Sequence, residues 1–140
     1  MIVLDNFDRQ HGVITEEVSI IEKEVKKDSS LINASEVALH ISRLSGHLKM
    51  HLLEEDKFLY PSLLNNNDKQ IQTLAKEYMD EMGDLANEYN EYKSNYNVAS
   101  KILKDLDSFV NDTTKILKAL KLRLSKEDHG LYQLIKDKSL

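Results

Sequence analysis

Apolar residues recur three and four positions apart through four long stretches of this chain, a spacing that only a helix turns into a continuous face. The first stripe holds Phe7, His11, Ile14, Val18, Ile21 and Val25. The second runs from Val37 through Leu48 and Leu52 to Leu63, the third from Ile71 to Tyr96, and the fourth from Phe109 to Leu134. Turn chemistry separates them: Lys27-Asp28-Ser29-Ser30, then Asn33 three residues before Glu36 in a helix-start pattern, then Asn65-Asn66-Asn67-Asp68. Between Ser94 and Asp107 the pattern loosens, which predicts a longer third connection. Helices of roughly 23 to 33 residues span ~35–50 Å. Joined by short links, they pack antiparallel, so the expected fold is all-α, an up-down-up-down four-helix bundle over residues 1–140. A single proline agrees with it, since turn-rich and all-β chains use more.

The chain also repeats itself. Leu48-Lys49-Met50-His51-Leu52-Leu53-Glu54-Glu55-Asp56-Lys57-Phe58-Leu59-Tyr60 returns as Leu120-Lys121-Leu122-Arg123-Leu124-Ser125-Lys126-Glu127-Asp128-His129-Gly130-Leu131-Tyr132, identical at seven positions. A weaker echo pairs His11-Gly12 with Met82-Gly83. Two helical hairpins, roughly 5–65 and 68–138, related by a pseudo-twofold axis, would produce this pattern.

Polar residues interrupt the apolar stripes at matching heights. His11 occupies a core position of the first, and His51 and Glu55, four apart, share a face of the second. Glu127, the repeat partner of Glu55, falls on the fourth. Burying such groups costs several kcal/mol unless they are paired or coordinated. Ligands converging from facing helices are how metal sites in bundles are built.

His11, followed by the string His51-x-x-x-Glu55-Asp56-x-x-Leu59-Tyr60-Pro61, resembles the hemerythrin-like (HHE) family over nearly the whole chain. That resemblance implies a bundle holding a non-haem di-iron centre, with histidines from all four helices and two bridging carboxylates. It implies binding of oxygen, reaction with nitric oxide or peroxide, iron storage, or oxygen and iron sensing. Carried over residue by residue, His11, His51, Glu55 and Glu127 match its ligand pattern. Two positions depart from it: Met82 and Arg123 stand where the third and fourth helices should present histidines. Arginine stays charged and cannot ligate a metal. Like unit charges about 4 Å apart cost ~4 kcal/mol at an effective dielectric of 20, which argues against an intact di-iron centre.

Three readings follow. One is a single ion, iron by its two-histidine-and-carboxylate ligand set, held by His11, His51 and Glu55, with Glu127 shared between metal and Arg123. A second is haem between the helices, with His11 or His51 facing Met82. Gly12, Gly46, Gly83 and Gly130 fall inside helical patterns, where each costs ~1 kcal/mol, so clearance for a cofactor is one use for them and close helix packing another. The third reading has no metal: Arg123 bridges Glu55 and Glu127, and Met82 fills space. His40 and His47 sit at the edge of the second stripe and read as half-exposed; His129 should point outward. The tyrosines Tyr78, Tyr89, Tyr92 and Tyr96 read as core or groove walls with hydroxyls seeking partners.

Composition narrows the function. With no cysteine, thiolate zinc sites, disulfide scaffolds and cysteine-ligated clusters are excluded. A net charge of −5 disfavours nucleic-acid binding, no segment approaches the ~18–20 apolar residues of a membrane span, and Met1-Ile2-Val3-Leu4 is too short for a signal-peptide core. No nucleophile elbow or phosphate loop suggests an enzyme, although weak peroxide or nitric oxide reduction stays open. The expectation is a cytoplasmic metal-binding protein for a small molecule such as O2 or NO. A sensing role would need a further protein partner.

Overall fold

The computed structural model describes residues 1–140 and is all-helical, without a strand. In chain order the helices are α1 (Asp5–Val25), α2 (Ala34–Phe58), α3 (Tyr60–Leu64), α4 (Lys69–Tyr96), α5 (Ala99–Lys104), α6 (Leu106–Lys126) and α7 (Tyr132–Asp137). A π-helical turn, Glu127–Leu131, joins α6 to α7. None of the helices is long and apolar enough to cross a membrane.

Local chemistry sets the boundaries. The Asn33 side chain accepts the Glu36 N–H at 3.1 Å, capping α2. The return half of a capping box is supplied from α1 instead, because the Asn33 N–H donates to Glu24 Oε1 at 2.7 Å. Asp68 and Asp105 cap α4 and α6 by accepting from the N–H groups of Gln70 and Ser108. The second stripe is not one helix to Leu63. It breaks at Leu59, and Pro61 lies in the first turn of α3, where its missing N–H leaves no gap in the ladder. The loose segment before Asp107 contains α5, anchored by the fully buried Ile102.

Among the long helices, α1 packs on α2 and α6, and α4 packs on the same two. Their apolar faces form two clusters. The larger includes Ile14, Ile41, Leu44, Met82, Tyr89, Phe109 and Leu120; the smaller includes Phe7, Leu59, Tyr60, Leu63, Tyr78, Leu131 and Tyr132. Each fully buried Leu or Ile contributes ~1.5–3 kcal/mol. Four buried polar residues fall between the two: His11 between Phe7 and Ile14, His51 and Glu55 between Leu48 and Leu59, and Glu127 between Leu124 and Leu131. A polar layer is therefore sandwiched in hydrophobic core.

Candidate metal centre

His11 comes from α1, His51 and Glu55 from α2, Arg123 from α6, and Glu127 opens the π turn. His51, Glu55 and Glu127 are fully buried, and His11 and Arg123 nearly so. Ligand atoms of His11, His51 and Glu127 all lie within 4.8 Å of one another. His11 Nε2 is 3.1 Å from His51 Nε2 and 3.2 Å from Glu127 Oε2. Glu55 Oε1 stands 3.2 Å from His51 Nε2.

Neighbours fix how both imidazoles are aimed. His11 Nδ1 donates to Asp128 Oδ1 at 2.7 Å, and His51 Nδ1 donates to Gln10 Oε1 at 2.7 Å. The Gln10 amide is oriented in turn because its Nε2 donates to Glu54 Oε2 at 2.7 Å. With each Nδ1–H committed outward, a neutral imidazole presents its Nε2 lone pair inward. Two nitrogen lone pairs and two carboxylates then face one small volume, and the only neutral donor among them is Tyr132. Its hydroxyl donates to Glu55 Oε2 at 2.8 Å and lies 3.2 Å from His11 Nε2 and 3.3 Å from Glu127 Oε2. One hydrogen cannot satisfy that many acceptors, and Glu55 Oε1 has no hydrogen-bond partner at all.

Acidities follow from this crowding. Burial raises Glu55 well above the usual carboxylate range, and the charge of Glu127 adds to it. Burial also works against ionised Glu127, but the two histidines beside it, His11 and His51, outweigh it and hold Glu127 low. For His11, burial acts to lower the pKa, yet the hydrogen bonds and charges of Glu127 and Asp128 raise it overall. Excess acceptors, one unpartnered oxygen and a proton held on His11 are what a cation-binding donor set looks like when protons stand in for the ion. The residues present fit a metal ion.

Arg123 closes the other side. Its Nε donates to Glu127 Oε1 at 3.3 Å, its Nη1 to Glu81 Oε2 at 3.2 Å and its Nη2 to the Tyr78 carbonyl at 2.7 Å, with the guanidinium 4.6 Å from the Tyr78 ring centre. Glu127 thus gives one oxygen to arginine and turns the other to the histidines. The expected bridge from Arg123 to Glu55 is not formed, because Glu127, Glu81 and the Tyr78 carbonyl occupy the guanidinium fork. Met82 is buried within the larger apolar cluster, as a space-filling residue would be.

Several other expectations change. The Nε2 atoms of His11 and His51 lie 3.1 Å apart and adjoin Glu127, while Met82 packs in the larger apolar cluster, so the haem reading gains no support. His40 is buried rather than half-exposed, because Glu17 on α1 takes its Nδ1 at 2.6 Å. His47 and His129 are exposed. A Cβ on Gly12, Gly46 or Gly83 would meet nothing within 4 Å, so close helix packing does not explain them, and all three are exposed. Gly130 differs: a Cβ there would lie 2.5 Å from the Tyr78 hydroxyl, which donates to the Lys126 carbonyl. That close approach belongs to the π turn, and the π turn is what brings Tyr132 to the ligands. Five residues along a regular helix would rotate it off the Glu127 face; the i→i+5 bond from the Tyr132 N–H to the Glu127 carbonyl restores it.

Gln10, Glu81, Asp128 and Tyr132 were not singled out by sequence reasoning. Gly130 and the repeated Glu-x-x-x-x-Tyr spacing were the available signals for Tyr132.

The family model for the hemerythrin HHE cation-binding domain matches residues 2–135. Neither the curated proteins nor the solved structures give a match.

Proposed function

The chain belongs to the hemerythrin HHE cation-binding domain family, and from that premise we propose that it binds one metal ion through His11, His51 and Glu127, with Glu55 as a further donor. The observation that carries this reading is the inward convergence of two Nε2 lone pairs and two carboxylates, each imidazole being aimed by a committed Nδ1–H. Two histidines with carboxylate oxygen suit non-haem iron. Bound there, iron would supply a Lewis-acidic, redox-active centre for a small molecule such as O2, NO or peroxide. The chain's own part is to aim the imidazoles, exclude water with the clusters above and below, and place the Tyr132 hydroxyl against the carboxylates. Arg123 supplies positive charge where a second ion would otherwise lie, so one ion rather than two is expected.

The same proposal includes the finer architecture: one domain over residues 1–140, four long helices running up-down-up-down, and two hairpins related by a pseudo-twofold axis. It also includes a cytoplasmic role in redox or iron sensing through a protein partner.

Metal analysis after growth in iron-supplemented medium tests it, with about one iron per chain expected. Less than a tenth of an equivalent of any transition metal would sink the reading. A second reading is then left, a metal-free interaction module in which the Arg123–Glu127 pair and the Tyr132 hydrogen bonds hold the layer together. The engagement of Arg123 by Glu127, Glu81 and the Tyr78 carbonyl favours that reading.

A further inference from the structure

Two buried side-chain polar atoms lack a hydrogen-bond partner, Glu55 Oε1 and the Tyr60 hydroxyl. They lie five residues apart at the α2–α3 junction. The acceptor is accounted for by the metal reading above; the donor is not. In the internal repeat Tyr60 is the counterpart of Tyr132, which sits five residues after Glu127 and is spent on the ligands. A helix break at Leu59 immediately precedes Tyr60, as the π turn immediately precedes Tyr132. Tyr60 is 1% exposed, and Glu55, Glu127 and Arg123 are the charged groups near enough to influence it. Burial, then the charge of Glu55, raises its pKa, so the hydroxyl keeps its hydrogen. An unpaired buried donor costs ~1–3 kcal/mol, which is offset only if something accepts from it in the working state.

We propose that the Tyr60 hydroxyl is the hydrogen-bond donor for a small anionic or strongly polarised ligand bound at the metal, making Tyr60 a specificity-determining residue. Arg123 adds positive charge on the same side. This inference rests on the metal-binding reading.

Azide serves as the probe, titrated into the iron(III)-loaded protein and followed by its visible charge-transfer absorption and infrared stretch. Tyr60→Phe should retain the wild-type iron content, bind azide about tenfold more weakly, and shift the azide stretch, as loss of a hydrogen bond to a charged group predicts. The metal-free Tyr60→Phe protein should melt no lower than wild type, since the hydroxyl has no partner to lose. Equal azide affinity at equal iron content overturns the inference alone, as does a melting point lowered by more than ~4 °C, which would reveal a structural partner. Absence of iron from both proteins overturns the metal reading and this inference with it, and metal analysis separates that outcome from the others.

Discussion

Aligning His11-Gly12 with Met82-Gly83 sets Phe7, Gln10 and His11 against Tyr78, Glu81 and Met82, and the repeat that begins at Leu48 and Leu120 sets His51 against Arg123. On the first side a neutral amide holds an imidazole: Gln10 accepts from His51, whose ring lies edge-on to Phe7 at 6.2 Å. On the second a carboxylate holds a cation: Glu81 accepts from Arg123, which lies over the Tyr78 ring. Met82, the counterpart of His11, has no ring nitrogen to orient, and Asp56, the counterpart of Asp128, is exposed. In each half the support matches the charge of the residue it holds. One half of the layer therefore keeps the means to bind a cation, and the other carries a permanent one.

The largest effect expected from breaking this contrast comes from Arg123. In metal-free protein Arg123→Met leaves Glu127 ionised, buried and short of its cation, and should cost ~3–5 kcal/mol in urea unfolding. Bound metal should shrink that loss by neutralising Glu127. A cost below about 1 kcal/mol without metal would show that the arginine does not act as the second cation.

Next is His51→Ala, which removes a ligand and should weaken iron(II) or zinc affinity by roughly a hundredfold or more, beyond the usual effect of losing a ligand's support. Met82→Leu, equal in volume and remote from the polar contacts, should leave affinity within about twofold. Calorimetric titration of both variants checks the asymmetry; equal losses would erase it.

The supports give the third contrast. Gln10→Ala frees His51 Nδ1 and should lower metal affinity about tenfold. Glu81→Gln touches only the ion pairs that its half-exposed carboxylate makes with Arg123 and Lys126, and should change stability by less than ~1 kcal/mol and affinity not at all. If Glu81→Gln weakens metal binding as much as Gln10→Ala does, the two halves are not separable.

How much of this was legible in the chain depends on what sets each feature. Helical stripes, the Asn33 cap and the family resemblance are local patterns, and they led to the all-helical fold and to His11, His51, Glu55 and Glu127 as candidates. The supports were not legible. Gln10 and Asp128 look like surface residues until helix packing brings them to imidazole nitrogens on other helices, and Asp128 is still partly exposed. Tyr132 depends on a π turn that shifts helical phase by one residue, which a constant 3.6-residue period cannot register. His40 was misread for a related reason: its angle puts it at the stripe's edge, but Glu17 on α1 covers it.

The smallest contrast is between the metal-free and metal-loaded forms as pH changes. Burial alone would lower the His11 pKa, but Glu127 and Asp128 raise it above the ordinary 6.5. In metal-free protein the native state therefore holds more protons than the unfolded chain as pH rises from 6.5 towards the raised value. Stability contributed by protonated His11 is complete below 6.5 and is lost as pH climbs through the native value. Glu55, raised by burial and by Glu127, acts in the same direction. A metal must displace these protons, so its affinity should rise with pH over the same window, by up to about tenfold per unit for each proton released. Melting points from pH 6 to 8 should accordingly fall in the presence of a chelator and hold or rise with saturating iron(II) or zinc. Parallel curves would mean that the proton on His11 and the metal do not compete for the same Nε2, and the convergence of lone pairs at the layer's centre would lose its meaning.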